Sequence, residues 1–251
     1  MALEHYPSAS PEDPRPAADP FTYSGRRYLD LIKAARHYNE MLWRFVERDV
    51  GPCDDVLDFG AGEGVVALRL AQRARSVTCV EPDAEFRSAL LLHGVPCESD
   101  LSGIPEGSLD VIYSLNVLEH IADDRGVLRE LHAKLRNGGR LILYVPAFPC
   151  LYNSMDRASG HVRRYRRRQL GQVLRGAGFS IDRVEYVDSL GFAATLVWRL
   201  LDDGSGRISA WPIHVYDRYL FWASRLLDMG LSRVVGKNVL AKAHKQRRST
   251  G

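Results

Sequence analysis

Short apolar runs alternate with amphipathic segments along most of the chain. The apolar runs predict β-strands, because each is brief and bounded by polar residues, glycine or proline; they cover 55–59, 76–80, 95–97, 109–115, 140–145 and 180–187. The intervening segments repeat apolar residues at three- and four-residue steps, which predicts helices over 64–74, 83–92, 123–136 and 166–177. We therefore expect an α/β fold, with a doubly wound, mostly parallel sheet covered by helices on both faces.

The start of the chain departs from this alternation. Residues 1–20 hold five of the twelve prolines and carry no core-forming pattern, so we expect a disordered segment. A helical pattern then runs over 26–48 and stops at Gly51-Pro52. Further on, Asn137-Gly138-Gly139 is a strong signal for the C-terminal end of the helix predicted over 123–136.

The alternation breaks again over residues 190–235, which hold Trp198, Trp211 and Trp222. We expect two helices there, about 191–201 and 213–230, joined by Gly204-Ser205-Gly206 and followed by a last strand over 237–243. The predicted organisation is a single domain over 21–251, divided into a helical cap (21–50), a core (51–188), a helical insertion (189–235) and the last strand (236–243).

Composition narrows the function classes. Lys plus Arg is 34 and Asp plus Glu is 31, and the net charge of +3 disfavours a chain-wide field for nucleic acid. Cys53, Cys79, Cys97 and Cys150 form no C-x-x-C pair, so we expect no metal site and no disulfide framework, but the reduced thiols of a cytoplasmic protein. The apolar runs fall short of the ~18–20 residues of a membrane span, so we expect none.

The most informative stretch is a glycine loop that follows the first predicted strand. Gly60, Gly62 and Gly64 are spaced G-x-G-x-G, and Val65 occupies the last glycine position of a dinucleotide fingerprint. Glycines at a strand end let a ligand approach the backbone. Asp58 precedes the loop, where a carboxylate suits a ligand with a cationic amine or sulfonium and opposes a pyrophosphate.

Two further acids follow the next predicted strands. Glu81 ends the second strand, where an acid accepts hydrogen bonds from two ribose hydroxyls. Asp100 follows the third strand, where a carboxylate can accept a bond from an adenine amino group. Each acid has a plainer interpretation, as a helix N-terminal acid for Asp58 and as solvated loop acids for the other two. Three acids at successive strand ends of one sheet favour a cofactor site.

These residues resemble the class I methyltransferases that use S-adenosylmethionine, and the resemblance covers about 56–145. It extends over about 28–188 to a bacterial small-molecule subgroup, of the methyltransferase type 11/23 kind. The motifs that carry this resemblance are Tyr38-Asn39, the segment 115–121 (LNVLEHI), the segment 135–141 (LRNGGRL) and the segment 156–165 (DRASGHVRRY). The subgroup often has an aromatic residue where this chain has Val162.

The resemblance implies an S-adenosylmethionine cofactor and a seven-stranded sheet whose last strand is antiparallel. The residues that motif and resemblance together assign to the cofactor are Tyr38, Asp58, Gly60, Ala61, Gly62, Gly64, Glu81, Pro82, Asp100, Leu101, Asn116 and Val117.

Methyl transfer from a sulfonium needs a general base only when the acceptor holds its proton, as a hydroxyl does. The candidate catalytic residues are His120, His161 and Asp156, which follow the predicted fourth and fifth strands. Each histidine also fits a purely structural role, and His120 fits a wall beside the cofactor.

Five arginines fall within six residues, Arg163 to Arg168, and surround Tyr165. Cations oppose the dipole at a helix N-terminus, so an anionic ligand there competes with a solvated helix start as the explanation. We expect Arg163, Arg164, Tyr165 and Tyr152 to contact the acceptor. The aromatic insertion fits core packing, a lid over an apolar acceptor, or a dimer or membrane-surface patch.

The sequence therefore predicts an S-adenosylmethionine-dependent methyltransferase that modifies oxygen or nitrogen of a small molecule, such as a secondary metabolite or a glycan or lipid precursor. The expected acceptor has an apolar body and a polar or anionic end; we expect no nucleic acid partner, since the chain lacks an N-P-P-Y element, and a monomer or homodimer. The alternatives are a nucleotide-linked oxidoreductase and a non-catalytic binding protein on the same fold.

Overall fold

A computed structural model describes residues 32–205 and 209–247 and forms a seven-stranded mixed sheet. The strands are β1 (Asp55–Phe59), β2 (Ser76–Val80), β3 (Cys97–Glu98), β4 (Leu109–Leu115), β5 (Leu135–Pro146), β6 (Phe179–Val187) and β7 (Asn238–Lys245). They lie in the order β3-β2-β1-β4-β5-β7-β6, and β7 runs antiparallel to both of its neighbours. The predicted fold class is confirmed.

Helices cover both faces of this sheet. They are α1 (Arg36–Glu47), α2 (Val65–Leu70), α3 (Ala84–Leu92), α4 (Asp124–Lys134), α5 (Ser154–Ala158), α6 (Arg167–Gly176), α7 (Ser189–Leu201), α8 (Ala210–Val215) and α9 (Phe221–Leu231). Alternate residues of a strand point to opposite faces, so Leu57 packs in the core that holds α4 and α6, while Val56 packs in the core that holds α1 to α3. This burial fixes the register and brings the ends of the parallel strands to one edge.

The differences from the sequence prediction include a later third strand and an earlier end of α4. The short third strand lies at Cys97–Glu98, slightly later than the predicted 95–97. Helix α4 ends at Lys134, before the Asn137-Gly138-Gly139 signal, because Leu135 is fully buried and already pairs with Leu109 as a strand residue. The three residues then lie within a bulged part of β5, where the pairing resumes between Val111 and Arg140.

The helical insertion is more continuous than predicted. Helix α7 covers the first predicted helix, and α8 continues through a π turn (Tyr216–Leu220) into α9. A π turn widens the helix by one residue and often accompanies a functional feature. Here it places Asp217 against α1, where its carboxylate accepts hydrogen bonds from the backbone N–H groups of His37 and Tyr38.

The remaining predictions concern the ends of the chain. The described part of the predicted helix over 26–48 is helical at residues 32–33, is interrupted at residues 34–35 and continues as α1. The predicted disordered segment 1–20 and part of the Gly204-Ser205-Gly206 connection lie outside the described residues. Throughout residues 32–205 and 209–247, every helix is too short or too polar to cross a membrane.

Candidate active site

The glycine loop between β1 and α2 has a backbone that requires glycine. Gly60 and Gly64 have φ angles of 79° and 70°. A Cβ on Gly60 would lie 2.3 Å from a methyl carbon of Val117, and one on Gly64 would lie 2.2 Å from a methyl carbon of Leu90. Both the conformation and the space therefore select glycine, and the loop lies close against the segment that follows β4.

Glu81, at the end of β2, is tied to this loop. Its Oε2 accepts a hydrogen bond from the Gly62 N–H at 2.7 Å, and its Oε1 accepts one from the Asp83 N–H at 2.8 Å. Burial raises the pKa of Glu81. Each carboxylate oxygen keeps a second lone pair, so the side chain is held in place and can still accept a bond from a ligand hydroxyl.

A cavity of about 620 Å³, here called the loop cavity, opens beside Glu81. Its lining includes predicted cofactor residues, namely Gly60, Gly62, Glu81, Pro82, Asp100, Leu101, Asn116 and Val117, together with His120. Asp100 is exposed, and its carboxylate accepts a hydrogen bond from the Ser102 N–H at 2.8 Å. The acids at the second and third strand ends thus share one cavity.

A second cavity of about 540 Å³, the cap cavity, lies under α1 and the helical insertion. Its lining includes Tyr38, Asp58, Ala61, Gly62, Gly64, Asn116, Asp156, His161 and Arg164. Gly62 and Asn116 line both cavities, so the two adjoin across the glycine loop. A ligand that reaches from one into the other would place its middle beside these two residues.

Asp58 supplies a buried acid to the cap cavity. Its side chain is 4% exposed, and its Oδ2 accepts a hydrogen bond from the Tyr113 hydroxyl at 2.7 Å. Burial raises the pKa of Asp58 to about 7, and the nearby charge of Glu81 adds to the effect. A cationic group bound beside this carboxylate would favour its charged form.

Asn116 lies between the two cavities in a strained conformation. Its φ angle is 57°, which an L-residue other than glycine seldom adopts, and its backbone N–H donates to the Tyr144 carbonyl at 2.7 Å. Its amide Nδ2 donates to the Tyr38 hydroxyl at 3.3 Å. Burial raises the pKa of Tyr38 to about 12, so this hydroxyl stays protonated in the lining of the cap cavity. Strain of this kind is typical of positions that serve a ligand.

Asp156, His161 and Arg164 form a cluster in the lining of the cap cavity. Asp156 is 1% exposed, and its carboxylate closes the capping box of α5 by accepting a bond from the Asn153 N–H. Its Oδ1 lies 2.6 Å from His161 Nδ1, and Arg164 Nε lies 2.9 Å from both oxygens. Although burial alone acts the other way, the bonds from His161 and Arg164 hold the pKa of Asp156 below its ordinary value.

This cluster separates the roles of the three predicted catalytic residues. All acceptor positions of Asp156 are directed at protein donors, so the geometry gives it a positioning role in place of the predicted base. The other ring nitrogen of His161, Nε2, is not bonded to Asp156 and lies 3.9 Å from Oε1 of the buried Glu119. His120 lies edge-on to His161 with ring centroids 4.6 Å apart, and burial lowers its pKa to about 4, which makes it a weak base.

Comparison with known proteins identifies the kind of enzyme. The profile of a family described as a methyltransferase domain matches residues 11–184. The chain belongs to this methyltransferase family. A Mycolicibacterium smegmatis protein named as an S-adenosylmethionine-dependent methyltransferase is 28% identical over 186 residues, which cover 68% of this chain and 70% of that protein. The predicted family, enzyme class and cofactor are thereby confirmed.

Two other methyltransferases resemble this chain over a shorter stretch or at a lower sequence identity. A Pseudomonas aeruginosa ubiquinone biosynthesis O-methyltransferase is 33% identical over 98 residues, which span 35% of this chain and only 42% of that enzyme. The structure of Haemonchus contortus phosphoethanolamine N-methyltransferase 2 in complex with S-adenosyl-L-methionine superposes with a TM-score of 0.59 at 19% identity, over 84% of this chain and 53% of that chain. The second likeness shows the fold alone.

The residues of this methyltransferase fit S-adenosylmethionine. Asp58 offers a buried carboxylate to a cationic group, and the loop cavity offers Glu81 and Asp100 to hydroxyl and amino donors. The glycine loop itself lines both cavities through Gly62, so a ligand there meets backbone without an intervening side chain. The negative charge of Asp58 beside the glycine loop would repel the pyrophosphate of a dinucleotide, so it argues against a dinucleotide cofactor.

Three predicted acceptor residues of the methyltransferase lie elsewhere. Arg163 forms an ion pair with Asp124 at 2.7 Å, and the fully buried Tyr165 donates its hydroxyl to the same carboxylate at 2.9 Å. Tyr152 donates its hydroxyl to the His161 carbonyl at 2.7 Å. These side chains satisfy buried or half-buried protein groups, and the linings of the two cavities include Arg164 but not them. We therefore do not assign Arg163, Tyr165 or Tyr152 to the acceptor.

The structure also brings unpredicted residues to the cap cavity. Asp188 follows β6 at the same sheet edge as the other strand-end acids, and Lys237 and Asn238 stand at the start of the antiparallel β7. The buried Trp198 Nε1 and Asn238 Oδ1 lack a hydrogen-bond partner among the described residues. The sequence could have indicated Asp188, because this acid directly follows a predicted strand as Glu81 does. The contributions of Trp198 and Asn238 depend on long-range packing that local patterns do not reveal.

Proposed function

We propose that this methyltransferase methylates a hydroxyl group of a small-molecule acceptor held in the cap cavity. The observation that carries the proposal is the pair formed by His161 and Asp156, whose Nδ1 and Oδ1 atoms lie 2.6 Å apart in the lining of that cavity. A hydroxyl must lose its proton during methyl transfer, whereas an uncharged amine can react through its lone pair. A histidine oriented by a buried carboxylate suits the first task.

On the cofactor side, we infer that Glu81 accepts hydrogen bonds from the ribose hydroxyls and that Asp100 and Leu101 hold the adenine in the loop cavity. Asp58 faces the ammonium end beside α1 and the glycine loop. S-adenosylmethionine supplies the activated methyl group on its sulfonium. The protein contributes alignment and the exclusion of water, since a small error in placement of the reactants costs about 10²-fold in rate.

On the acceptor side, His161 takes the hydroxyl proton at Nε2. Its Nδ1–H donates to Asp156, which fixes the tautomer and stabilises the imidazolium that forms. Arg164 neutralises Asp156 and holds the carboxylate in its orientation. Burial raises the pKa of Glu119 to about 8, so this carboxyl group is largely protonated at neutral pH and does not compete for the hydroxyl proton.

The lining of the cap cavity supports an acceptor with an apolar body and a polar end. Met41, Leu42 and Ile213 supply apolar surface, while Asp188, Lys237 and Asn238 cluster beside Arg164. The unpartnered Trp198 indole N–H would be satisfied by an acceptor oxygen. These groups favour an oxygen-bearing metabolite or a glycan or lipid precursor.

A turnover assay tests the proposal. The full chain, S-adenosylmethionine and a panel of matched phenols, alcohols and amines would be incubated, and methylated products would be measured. We expect hydroxyl acceptors to react and His161→Asn to slow that reaction by about 10²–10⁴-fold while S-adenosylhomocysteine still binds. Exclusive methylation of amines, at a rate that His161→Asn leaves unchanged, would refute the hydroxyl assignment. Binding of NAD in preference to S-adenosylhomocysteine would refute the cofactor arrangement.

A further inference from the structure

The helical insertion carries most of the exposed large apolar side chains of the described residues. Thirteen of the seventeen lie between residues 196 and 234. We call the exposed apolar side chains of α7, α8, α9 and the turn that follows them the insertion surface. Leu200, Trp211 and Met229 are exposed by 80%, 72% and 82%. Proteins that work alone in water seldom leave an apolar surface of this extent uncovered.

Helix α7 shows that the exposure belongs to one side of the insertion. Gly191, Ala194 and Trp198, at helical spacing, line the cap cavity. Val197 and Leu200 lie on the other side of the helix and are 57% and 80% exposed. A helix that is apolar all round is normally buried all round. Within the described part of the chain, no segment buries the apolar side chains on the outer side of α7.

Helix α9 repeats the arrangement. Phe221, Ser224 and Asp228, spaced i, i+3 and i+7, are buried inward. The side chains of Trp222, Leu226 and Met229, spaced i, i+4 and i+7, form an outer stripe that is 59%, 69% and 82% exposed. Since residues at these steps share a helix face, the outer stripe is continuous and parallel to the helix axis.

The exposed charges around the insertion surface are mostly positive. Arg199, Arg218 and Arg233 are exposed, whereas Asp217 and Asp228 are buried as acceptors for the backbone N–H groups at the starts of α1 and α7. Asp203 is the exposed acid of the described insertion. The insertion surface is thus apolar with a basic rim, and tryptophan and arginine are the residues that suit the boundary between lipid tails and anionic headgroups.

We propose that the insertion surface docks on an anionic lipid bilayer. Its apolar side chains enter the headgroup region, and the arginines contact the acidic headgroups. A second copy of the chain fits less well, because a symmetric pairing of this surface brings its arginines together. Docking places the outer faces of α7 and α9 against the membrane while the inner face of α7 still lines the cap cavity.

Vesicle binding by the full chain tests the proposal. Sedimentation with vesicles of phosphatidylcholine plus phosphatidylglycerol is compared with sedimentation with phosphatidylcholine alone, at low and high salt. We expect stronger binding to the anionic vesicles and weakening by salt. The double variant Leu226→Gln/Met229→Gln and the charge variant Arg218→Glu should each lower the binding at least about tenfold.

Leu92→Gln is the matched control, because Leu92 is an 88% exposed leucine on α3, outside the insertion. It should bind vesicles as the unaltered chain does, and all variants should keep their affinity for S-adenosylhomocysteine. Equal binding to neutral and anionic vesicles, or none to either, would overturn the proposal. A dimer in light scattering that Leu226→Gln/Met229→Gln dissociates would assign the surface to a second copy and would also overturn it.

Discussion

The carboxylate of Asp217 accepts a hydrogen bond from the backbone N–H of Tyr38 at 2.9 Å and so joins the helical insertion to the first described helix. The same side chain accepts a bond from the His37 N–H at 3.1 Å. The ordinary capping position of α1 is Ala35, which has no side-chain oxygen to offer. An acid from a distant π turn therefore performs the capping, and it fixes α1 over the cap cavity.

Asp217→Ala should lower the free energy of unfolding by about 1–2 kcal/mol, because it removes the cap of α1. Urea denaturation followed by circular dichroism measures the change. Asp203→Ala is the control, since Asp203 is exposed in the connection after α7 and is expected to have a small effect. Equal denaturation midpoints for the two variants would show that the capping contact does not stabilise the fold.

Glu81→Ala should weaken the binding of S-adenosylhomocysteine at least about tenfold, since each hydrogen bond to a charged group contributes about 1.5–3 kcal/mol. Calorimetric titration measures the affinity, and thermal unfolding checks that the fold persists. Glu106→Ala, at an exposed loop position, should leave the affinity unchanged. If Glu81→Ala bound the ligand as tightly as Glu106→Ala, the assignment of the ribose to Glu81 would be wrong.

Binding of S-adenosylhomocysteine should strengthen between pH 6 and pH 8. Burial raises the pKa of Asp58 to about 7 in the free protein, so below that pH the carboxyl group is largely protonated and must lose a proton before it can pair with a cation. Affinities measured across this range should rise for the unaltered chain. Asp58→Asn should bind more weakly and lose this part of the pH dependence.

The raised pKa of Asp58 has the opposite effect on the stability of the ligand-free protein, which should fall as the pH rises. A carboxyl group whose pKa is raised in the folded state stabilises the fold at low pH, and this contribution is lost as the pH rises towards about 7. The ligand-free Asp58→Asn variant should therefore lose less stability than the unaltered chain between pH 4 and pH 7. Parallel pH profiles of unfolding for the two proteins would contradict the burial of a titrating carboxyl group.

His161→Asn should lower turnover of a hydroxyl acceptor by about 10²–10⁴-fold, the usual contribution of a general base. Affinity for S-adenosylhomocysteine should stay the same, because the proposed cofactor contacts do not include His161. His93→Asn is a control at an exposed position after α3. Retained turnover in His161→Asn would remove the base from the proposed mechanism.

Arg164→Ala should destabilise the fold by about 3–5 kcal/mol, because it leaves the buried Asp156 carboxylate without its cation. Arg163→Ala should cost much less, since the Arg163 side chain is 29% exposed. Chemical denaturation of both variants measures the difference. An Arg164→Ala protein as stable as Arg163→Ala would mean that Asp156 is not held by this ion pair.

Local patterns were sufficient for the core of the fold. The strands Ser76–Val80 and Leu109–Leu115 have the predicted bounds, because each is a short apolar run with polar residues at its ends. Because the carboxyl ends of parallel strands meet at one edge of the sheet, Glu81 and Asp100 lie at one cavity. In these places the burial pattern and the chain direction determine the structure, and both can be read from neighbouring residues.

The acceptor side was harder to predict because its contacts are long-range. The arginine cluster suggested an anionic ligand, but Arg163 pairs with Asp124 and Arg164 with Asp156, so protein acids neutralise both. Sequence spacing does not reveal that Asp124, on a preceding helix, reaches Arg163. In the same way, the π turn that brings Asp217 to α1 has no local signal.

The direction of β7 has a practical consequence for protein engineering. This strand starts at Asn238, in the lining of the cap cavity, and ends at Lys245, whose ammonium group donates to the carbonyls of His132 and Leu135 at the opposite edge of the sheet. The chain therefore reaches Lys245 at the edge of the sheet opposite the cap cavity. A purification tag, fluorescent reporter or immobilisation handle linked beyond this strand would start from that opposite edge.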